Sequence, residues 1–551
     1  MFLKITRSNN YQYVQLIRSY RENGVVKHEV VLNLGRLDTI ENNPSFQRLA
    51  LRLQELSRAN PKQIPDLNKA SEAEILNWGY IAYQKLWKEF SLHEFLPSLT
   101  ASTKVQFSLA DACFLMTIQH LLSPMSKLGT FKHQQRYVNM PEVSLNHLYR
   151  SLDILCDHKE RLEQMIFHKN RTIFNMQVDV IFYDVTTFSF ESVKADTLRD
   201  FGFSKNGKFN EVQVVMGLLL DCEGRPIGYE LFPGNTFDSS TLEAALEKLK
   251  ERFGIRRVII VADRGINSKI NLKRIADQGY SYIFASRLKS MKRSVQEEVF
   301  SDGYQEIALP GMDSEEKILY KVIDYVNRVK DEEGKIYELK ENLVITYSPR
   351  RARKDRADRE RLIEKAKSLL ENKSRIKASN KRGGKKYLKE AEPGCVDWVL
   401  DEERIRKDER FDGYYGIQTN EKNMSAKGVL AAYHDLWKIE ESFRIMKSTL
   451  EVQPVFHWTE RRIKGHFVVC FLAFLLARTL EFKLRKAEVE ASADAIREAM
   501  NSMNFAKVEI DERDYLIKTR GTDLSNKILR LLRIKPPPNV LPADEFQDLE
   551  L

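Results

Sequence analysis

The sequence predicts an α/β protein in which a mixed sheet is built from two separated stretches of chain. Three observations carry this. Between 178 and 285 the apolar runs follow one another as strand, strand, strand, helix, strand, helix, strand. Ahead of them, over 41–175, apolar residues recur at helical spacing. Behind them, an interval of 440 − 263 = 177 residues separates two acidic residues of interest, Asp263 and Glu440. No compact fold carries such a stretch as a loop, so it reads as an inserted domain.

Composition narrows the class. The chain has 551 residues, room for two to four domains, with 42% apolar and 30% charged residues. The net charge of +10 is concentrated. Arg350–Lys389 holds 17 Lys/Arg and 5 Asp/Glu, a net of +12, which leaves −2 for the remainder. A concentrated cationic segment suits a polyanion surface. The five cysteines include no C-x-x-C pair, which argues against a disulfide scaffold and points to a reducing cytoplasm. Met1–Arg7 has no secretory pattern, and the longest apolar run, Phe467–Ala477, is too short to cross a bilayer. No membrane partner is expected.

Taken in order, residues 1–40 predict a β-hairpin unit, with Tyr11–Arg21 and Val25–Leu34 flanking Asn23-Gly24. Residues 41–175 predict a helical domain: Leu76, Tyr80, Tyr83 and Trp87 share one helix face, and Phe107, Ala110, Phe114 and Ile118 another. Residues 176–290 hold the first part of the core. A strand from 178 ends at Asp184, Val212–Leu220 and Pro226–Leu231 complete an antiparallel meander, and helix Ser240–Arg252 follows. Strand Val258–Ala262 then ends at Asp263, with helix Ser268–Gln278 and strand Tyr280–Ala285 beyond. The interval, 291–424, is read as mainly β, with a charged helix over Arg350–Leu370 as a basic projection. Residues 425–485 return to the core with Tyr433–Lys447, one helix with an apolar stripe of Leu436, Ile439, Phe443 and Met446. The same helical period stacks Tyr433, Leu436, Glu440 and Lys447 on one face. Residues 486–551 form a mixed C-terminal region.

Three antiparallel strands followed by parallel ones is the order of an RNase-H-like core. Asp184 and Asp263 fall at strand C-terminal ends, the edge where ligands bind in open sheets. With Glu440 they make a minimal carboxylate set for a pair of hard divalent cations, the requirement of phosphodiester cleavage without a covalent intermediate. Alone, each aspartate is also a common cap or turn residue. Trp458 and Phe456 could stack on an unpaired base, although aromatics after a helix more often lie in a core.

The motifs Y-D-V-T-T at 183–187, A-D-R-G at 262–265 and Y-H-D-L-W-K-I-E-E-S-F-R-I-M-K at 433–447 resemble those of bacterial insertion-sequence transposases of the Asp-Asp-Glu class. The closer resemblance is to the branch with a Tyr-x2-Arg-x3-Glu-x6-Lys signature and a β-rich insertion. G-F-S-K at 202–205, G-N-T-F-D at 234–238 and R-I-K-G-H at 462–466 add to it. The resemblance implies that Asp184, Asp263 and Glu440 hold two Mg²⁺ or Mn²⁺ ions. It further implies nicking at transposon ends and attack of the freed 3′-OH on target DNA. Tyr433 and Lys447 would position phosphate, with Lys438, Arg444, Arg264, Arg462 and His466 as further DNA contacts. The partners implied are terminal-repeat and target DNA, held by a homodimer, with 41–175 as the region expected to bind DNA ends. The signature arginine falls on Leu436, and Glu441 is the ligand if the register slips by one. The alternatives are a nuclease that cuts without joining strands, which the sequence does not separate from this reading, and a silent DNA-binding regulator, against which the retention of all three carboxylates argues.

Overall fold

The computed structural model describes residues 1–22, 25–41, 43–56, 71–174, 179–202, 210–255, 258–308, 318–331, 333–371, 376, 383–391, 397–510 and 512–548. The chain divides into two compact units, Met1–Ala73 with Val508–Tyr515, and Glu74–Lys507 with Leu516–Leu551.

In the first unit, β1 (Phe2–Ser8), β2 (Tyr11–Glu22) and β3 (Val25–Arg36) form an antiparallel sheet in the order β1-β2-β3. Two of these strands are expected from the sequence and the first is not. Phe2–Ser8 alternates weakly and is almost wholly exposed, so no periodic burial marks it. The expected Asn23-Gly24 turn lies outside the described residues.

The second unit opens with β4 (Glu74–Asn77) and helices Ile81–Glu89, Leu92–Ser98, Leu109–Leu122, Lys127–His133 and Leu145–Phe174. Ser108 and Ser126 cap two of these helices, each accepting a backbone N–H three residues on. The core sheet follows. Its strands are β5 (Val180–Ser189), β6 (Gln213–Asp221), β7 (Pro226–Pro233), β8 (Ile259–Ala262) and β9 (Ser281–Ala285). Strands β5, β6 and β7 pair antiparallel, while β8 and β9 run parallel to β5 and β8. This is the strand order expected from the sequence.

The interval departs from expectation. Its strands β10 (Gln305–Ile307), β11 (Ile318–Lys330) and β12 (Ile336–Tyr347) do not form a separate sheet; among the described residues only β13 (Leu388–Glu390) and β14 (Trp398–Leu400) pair apart. Through β15 (Tyr414–Thr419) they extend the core, giving one nine-stranded sheet in the order β10-β11-β12-β15-β9-β8-β5-β6-β7. Between β12 and β13 runs the basic helix, Pro349–Glu371. Helices Arg293–Phe300 and Glu402–Glu409 also belong to the interval, which is therefore mixed rather than mainly β.

Strand alternation gives the core sheet two faces. Ile181, Tyr183 and Val185 pack with Leu242, Leu246, Leu272 and Ile275, from helices Asp238–Phe253 and Lys269–Asp277. Phe182, Phe188, Val261 and Ile283 belong to the other core, with Ile439, Phe443 and the apolar helix Glu460–Lys486. That last helix is buried along most of its length, from Ile463 to Leu484. It runs against Leu145–Phe174 so closely that a Cβ on Gly465 would meet the Leu152 carbonyl oxygen at 2.0 Å. Strand β16 (Asn504–Ile510) pairs antiparallel with β4 through Asn504–Lys507. Among the described residues, no helix is long and apolar enough to cross a membrane.

Candidate active site

Asp184 lies inside β5, not at its end. The strand continues because Val185-Thr186-Thr187-Phe188 are β-branched or aromatic and pair with Gly217–Val214 of β6. The half-buried carboxylate accepts the Val185 N–H at Oδ1, at 2.8 Å. Asp263 directly follows β8 and is exposed. The parallel register pairs Phe182 with Val261. Asp184 follows that pair by two residues within β5 and so faces the side of Phe182, and Asp263 follows it by two residues just past the end of β8.

That face also receives the third acidic residue, by a route the sequence does not reveal. Tyr433–Lys447 is not one helix. Ala426–His434 ends, the chain turns at Asp435-Leu436, and a second helix spans Trp437–Arg444 before a wider turn over Ile445–Thr449. Hydrogen bonds from Leu436 N to Tyr433 O, Lys438 N to Asp435 O and Ile439 N to Leu436 O tighten the junction to three-residue spacing. The single face expected for Tyr433, Leu436, Glu440 and Lys447 is thereby broken: Leu436 is buried and Glu440 exposed. The apolar stripe survives, with Leu436, Ile439, Phe443 and Met446 all buried. It seats the Trp437–Arg444 helix against β5, the strand of Asp184.

The two neighbouring glutamates differ. Glu441 accepts from the buried Arg478 at 3.2 Å and from Arg444 at 3.5 Å, which ties it to the Glu460–Lys486 helix. Glu440 is exposed and has no hydrogen-bond or ion-pair partner among the described residues. The carboxylates of Asp184, Asp263 and Glu440 do not all come within 4.8 Å of one another.

Tyr433 bonds directly to the acidic pair, donating its hydroxyl proton to Asp263 Oδ1 at 3.2 Å. Its oxygen lies 2.6 Å from Tyr415 Oη. A carboxylate only accepts, so the order is fixed: Tyr415 donates to Tyr433, and Tyr433 to Asp263. Burial, then the neighbouring Tyr415 and the Asp263 charge, push the Tyr433 phenol far above its usual range. It remains a donor and cannot act as a base. The Arg351 guanidinium, at the start of the basic helix, sits 4.1 Å above the Tyr415 ring. Sequence reasoning missed Tyr415 and Arg351. Nothing local marks Tyr415, which reads as an ordinary strand residue.

Other expected DNA contacts are placed unevenly. Arg264 opens onto a cavity of about 980 Å³ of mixed charge, lined by Arg351, Arg287, Arg404, Lys407 and Tyr415 and also by Asp355, Asp358, Asp401, Glu403, Asp408 and Asp412. Among the described residues, no carboxylate pairs with Arg264, Arg287, Arg404 or Lys407. Arg444 is 73% exposed and pairs only weakly with Glu441. Lys447 lies 5.5 Å from the Phe188 ring, on the Asp184 face of β5. Lys438 is turned inward, bonding the Cys222 carbonyl at 2.7 Å and Asp435 at 3.0 Å. Arg462 pairs with Asp153 at 3.6 Å beside Tyr149. His466 is buried and reaches no surface from which it could contact DNA. Phe456 and Trp458, for which a core position was the commoner expectation, are exposed, and Arg199 sits 5.5 Å from the Trp458 ring. Residues 203–205 of the G-F-S-K motif lie outside the described residues.

Comparison with known proteins identifies the class. Residues 177–476 match the family described as the transposase DDE domain, and the chain belongs to this family. Residues 3–63 match the IS1634 family transposase N-terminal domain, so the chain is an insertion-sequence DDE transposase. No curated protein matches. One similar solved structure is the cryo-EM structure of a piggyBac transposase synaptic complex with hairpin DNA, at 8% identity and a TM-score of 0.35. The match covers 78% of this chain and 83% of that one.

Proposed function

We propose that the protein cleaves DNA at transposon ends and joins the freed 3′-OH to target DNA, on an RNase-H-like core with Asp184, Asp263 and Glu440 as its acidic residues. The observation that carries this reading is that Asp184 and Asp263 each follow the paired Phe182 and Val261 by two residues, with the Glu440 helix packed against β5. The donor set suits a hard cation, being all carboxylate oxygen. The spread of the three carboxylates favours two ions, Mg²⁺ or Mn²⁺, because only one residue need be shared between them. Bound there, the ions supply activation of an oxygen nucleophile and stabilisation of the leaving oxyanion.

The remaining roles fall to the chain itself. Tyr433 holds one oxygen of Asp263 and leaves the other for a ligand. Glu440 keeps its carboxylate uncommitted, while Glu441 is spent on Arg478. Arg264 and the cavity cations provide point charges and forks for phosphate oxygens close to Asp263. Lys447 has the same use along β5.

The test is incubation of purified protein with labelled terminal-repeat DNA and Mg²⁺. Joined products are expected. Nicks without joining would reduce the reading to a nuclease, and shifted but uncut DNA to a binding protein. Asp184→Ala, Asp263→Ala and Glu440→Ala should each abolish cleavage and keep the shift.

A further inference from the structure

We propose that His120, His466 and Cys470 form a second metal site, for one Zn²⁺-type d¹⁰ cation, in the core where the N-terminal helices meet the apolar helix. Among the described residues, no other group of three or more His, Cys, Asp or Glu has donor atoms that all lie within 4.8 Å of one another, and all three members are buried. His120 comes from helix Leu109–Leu122. His466 and Cys470 are one turn apart on Glu460–Lys486 and share a face.

The hydrogen bonds fix which nitrogens are free. His120 Nδ1 bonds the Leu450 carbonyl at 3.1 Å, and His466 Nε2 bonds the Val452 carbonyl at 3.3 Å. A carbonyl only accepts, so each of these nitrogens carries the proton. His120 Nε2 and His466 Nδ1 are left with lone pairs. Anchoring one ring nitrogen to a backbone carbonyl is how metal-bound histidines are oriented. The free nitrogens converge on Lys127 Nζ, at 3.3 and 3.5 Å. Cys470 Sγ lies 3.5 Å from His466 Nε2 and 3.9 Å from Nδ1, so joining a cation at Nδ1 requires a small rotation of the thiol.

The point between the two imidazoles is therefore shaped for a cation. The ammonium of Lys127 is a poor occupant, being buried without a carboxylate partner among the described residues. Two nitrogens at 2.0–2.1 Å from one tetrahedral zinc are about 3.3 Å apart. The Lys127–His120 spacing has that value, so the neutral amine of Lys127 fits as the fourth donor. Uptake would release two protons, from the Cys470 thiol and the Lys127 ammonium, and leave both imidazoles neutral.

Cobalt binding tests this without relying on activity. The protein carries Asp184→Ala and Asp263→Ala, so that the acidic residues take up no ion, and it is stripped with a chelator and titrated with Co²⁺. One equivalent is expected, with a near-ultraviolet thiolate-to-cobalt band that Zn²⁺ abolishes mole for mole. Cys470→Ser should remove the band, and His120→Gln should weaken retention at least tenfold, with circular dichroism monitoring the fold. Absence of the band in the protein with Cys470 intact would overturn the proposal, as would a band that persists in Cys470→Ser. Because that first outcome needs no ligand variant, a misfolded mutant cannot hide it.

Discussion

Two adjacent glutamates in the Trp437–Arg444 helix have opposite assignments, and this can be read out separately. Glu440→Gln should stop cleavage with the melting temperature unchanged, since its carboxylate bonds nothing among the described residues. Glu441→Gln removes a charge from the buried Arg478, which keeps Glu481 as a second partner. It should cost about 1–2 kcal/mol of stability and leave most cleavage intact. If Glu441→Gln were the inactive and thermally unaltered variant, the assignment would be reversed. Tyr433→Phe removes the bond to Asp263 and should slow single-turnover nicking about tenfold, with DNA affinity within about twofold. Tyr415→Phe, one bond further out, should slow it less. The sequence motifs single out Asp184, Asp263, Glu440 and Tyr433, and the bond from Tyr433 to Asp263 joins two of these motifs in space. Tyr415 and Arg351 were not legible in the sequence, because their contacts join segments far apart in the chain.

Element packing tells what a linear pattern can and cannot give. The stripe Leu436, Ile439, Phe443, Met446 correctly marked a buried face, yet the pattern could not show the turn at Asp435-Leu436. A three-residue hydrogen bond and a four-residue one leave the same apolar spacing over so short a run. Leu436 illustrates the cost: at the position where the resemblance read from the sequence expects arginine, this chain has a core residue. R-I-K-G-H stands out in the sequence only as a motif, whereas Gly465 is required by the approach of two helices. Gly465→Ala should destabilise by about 1–3 kcal/mol, seen as a lower melting temperature, because the obstacle is backbone. The same junction makes a pH prediction. In the metal-free protein burial pushes His120 and His457 down to about 3, whereas an unfolded histidine takes up its proton near 6.5. Below that value the unfolded state binds more protons than the native one, so stability falls as pH drops from about 6.5 toward 3. Each histidine should contribute about 1.4 kcal/mol per pH unit within that window. Melting curves at pH 7.5, 6 and 5 check this, and His457→Gln should flatten the trend.

On the scale of the whole molecule, the strand order was legible because each core strand carries its own apolar run. The continuity of the sheet was not, because nothing in β12 or β15 announces β9 as a neighbour. That continuity brings the foot of the basic helix beside Asp263. Gly413 N–H bonds Asp355, Arg351 covers Tyr415, and the unpaired cavity cations gather at the same end. Replacing Arg264 and Arg287 by alanine should weaken DNA binding regardless of sequence. It should also lower the slope of log affinity against log salt by about 0.9 for each phosphate that the protein no longer neutralises. An unchanged slope would place the DNA elsewhere.

Strand β9 has β8 on one side and β15 on the other. A shortened chain that skipped residues 291–424 would therefore not simply lose an appendage. It would bare the amide and carbonyl groups of β9, whose Tyr282, Ile283, Phe284 and Ala285 are apolar and now wholly buried. An unguarded edge of that kind recruits other chains. The natural length of this interval is thus free to drift only beyond its strands, and truncation should give insoluble material instead of a smaller, inactive transposase.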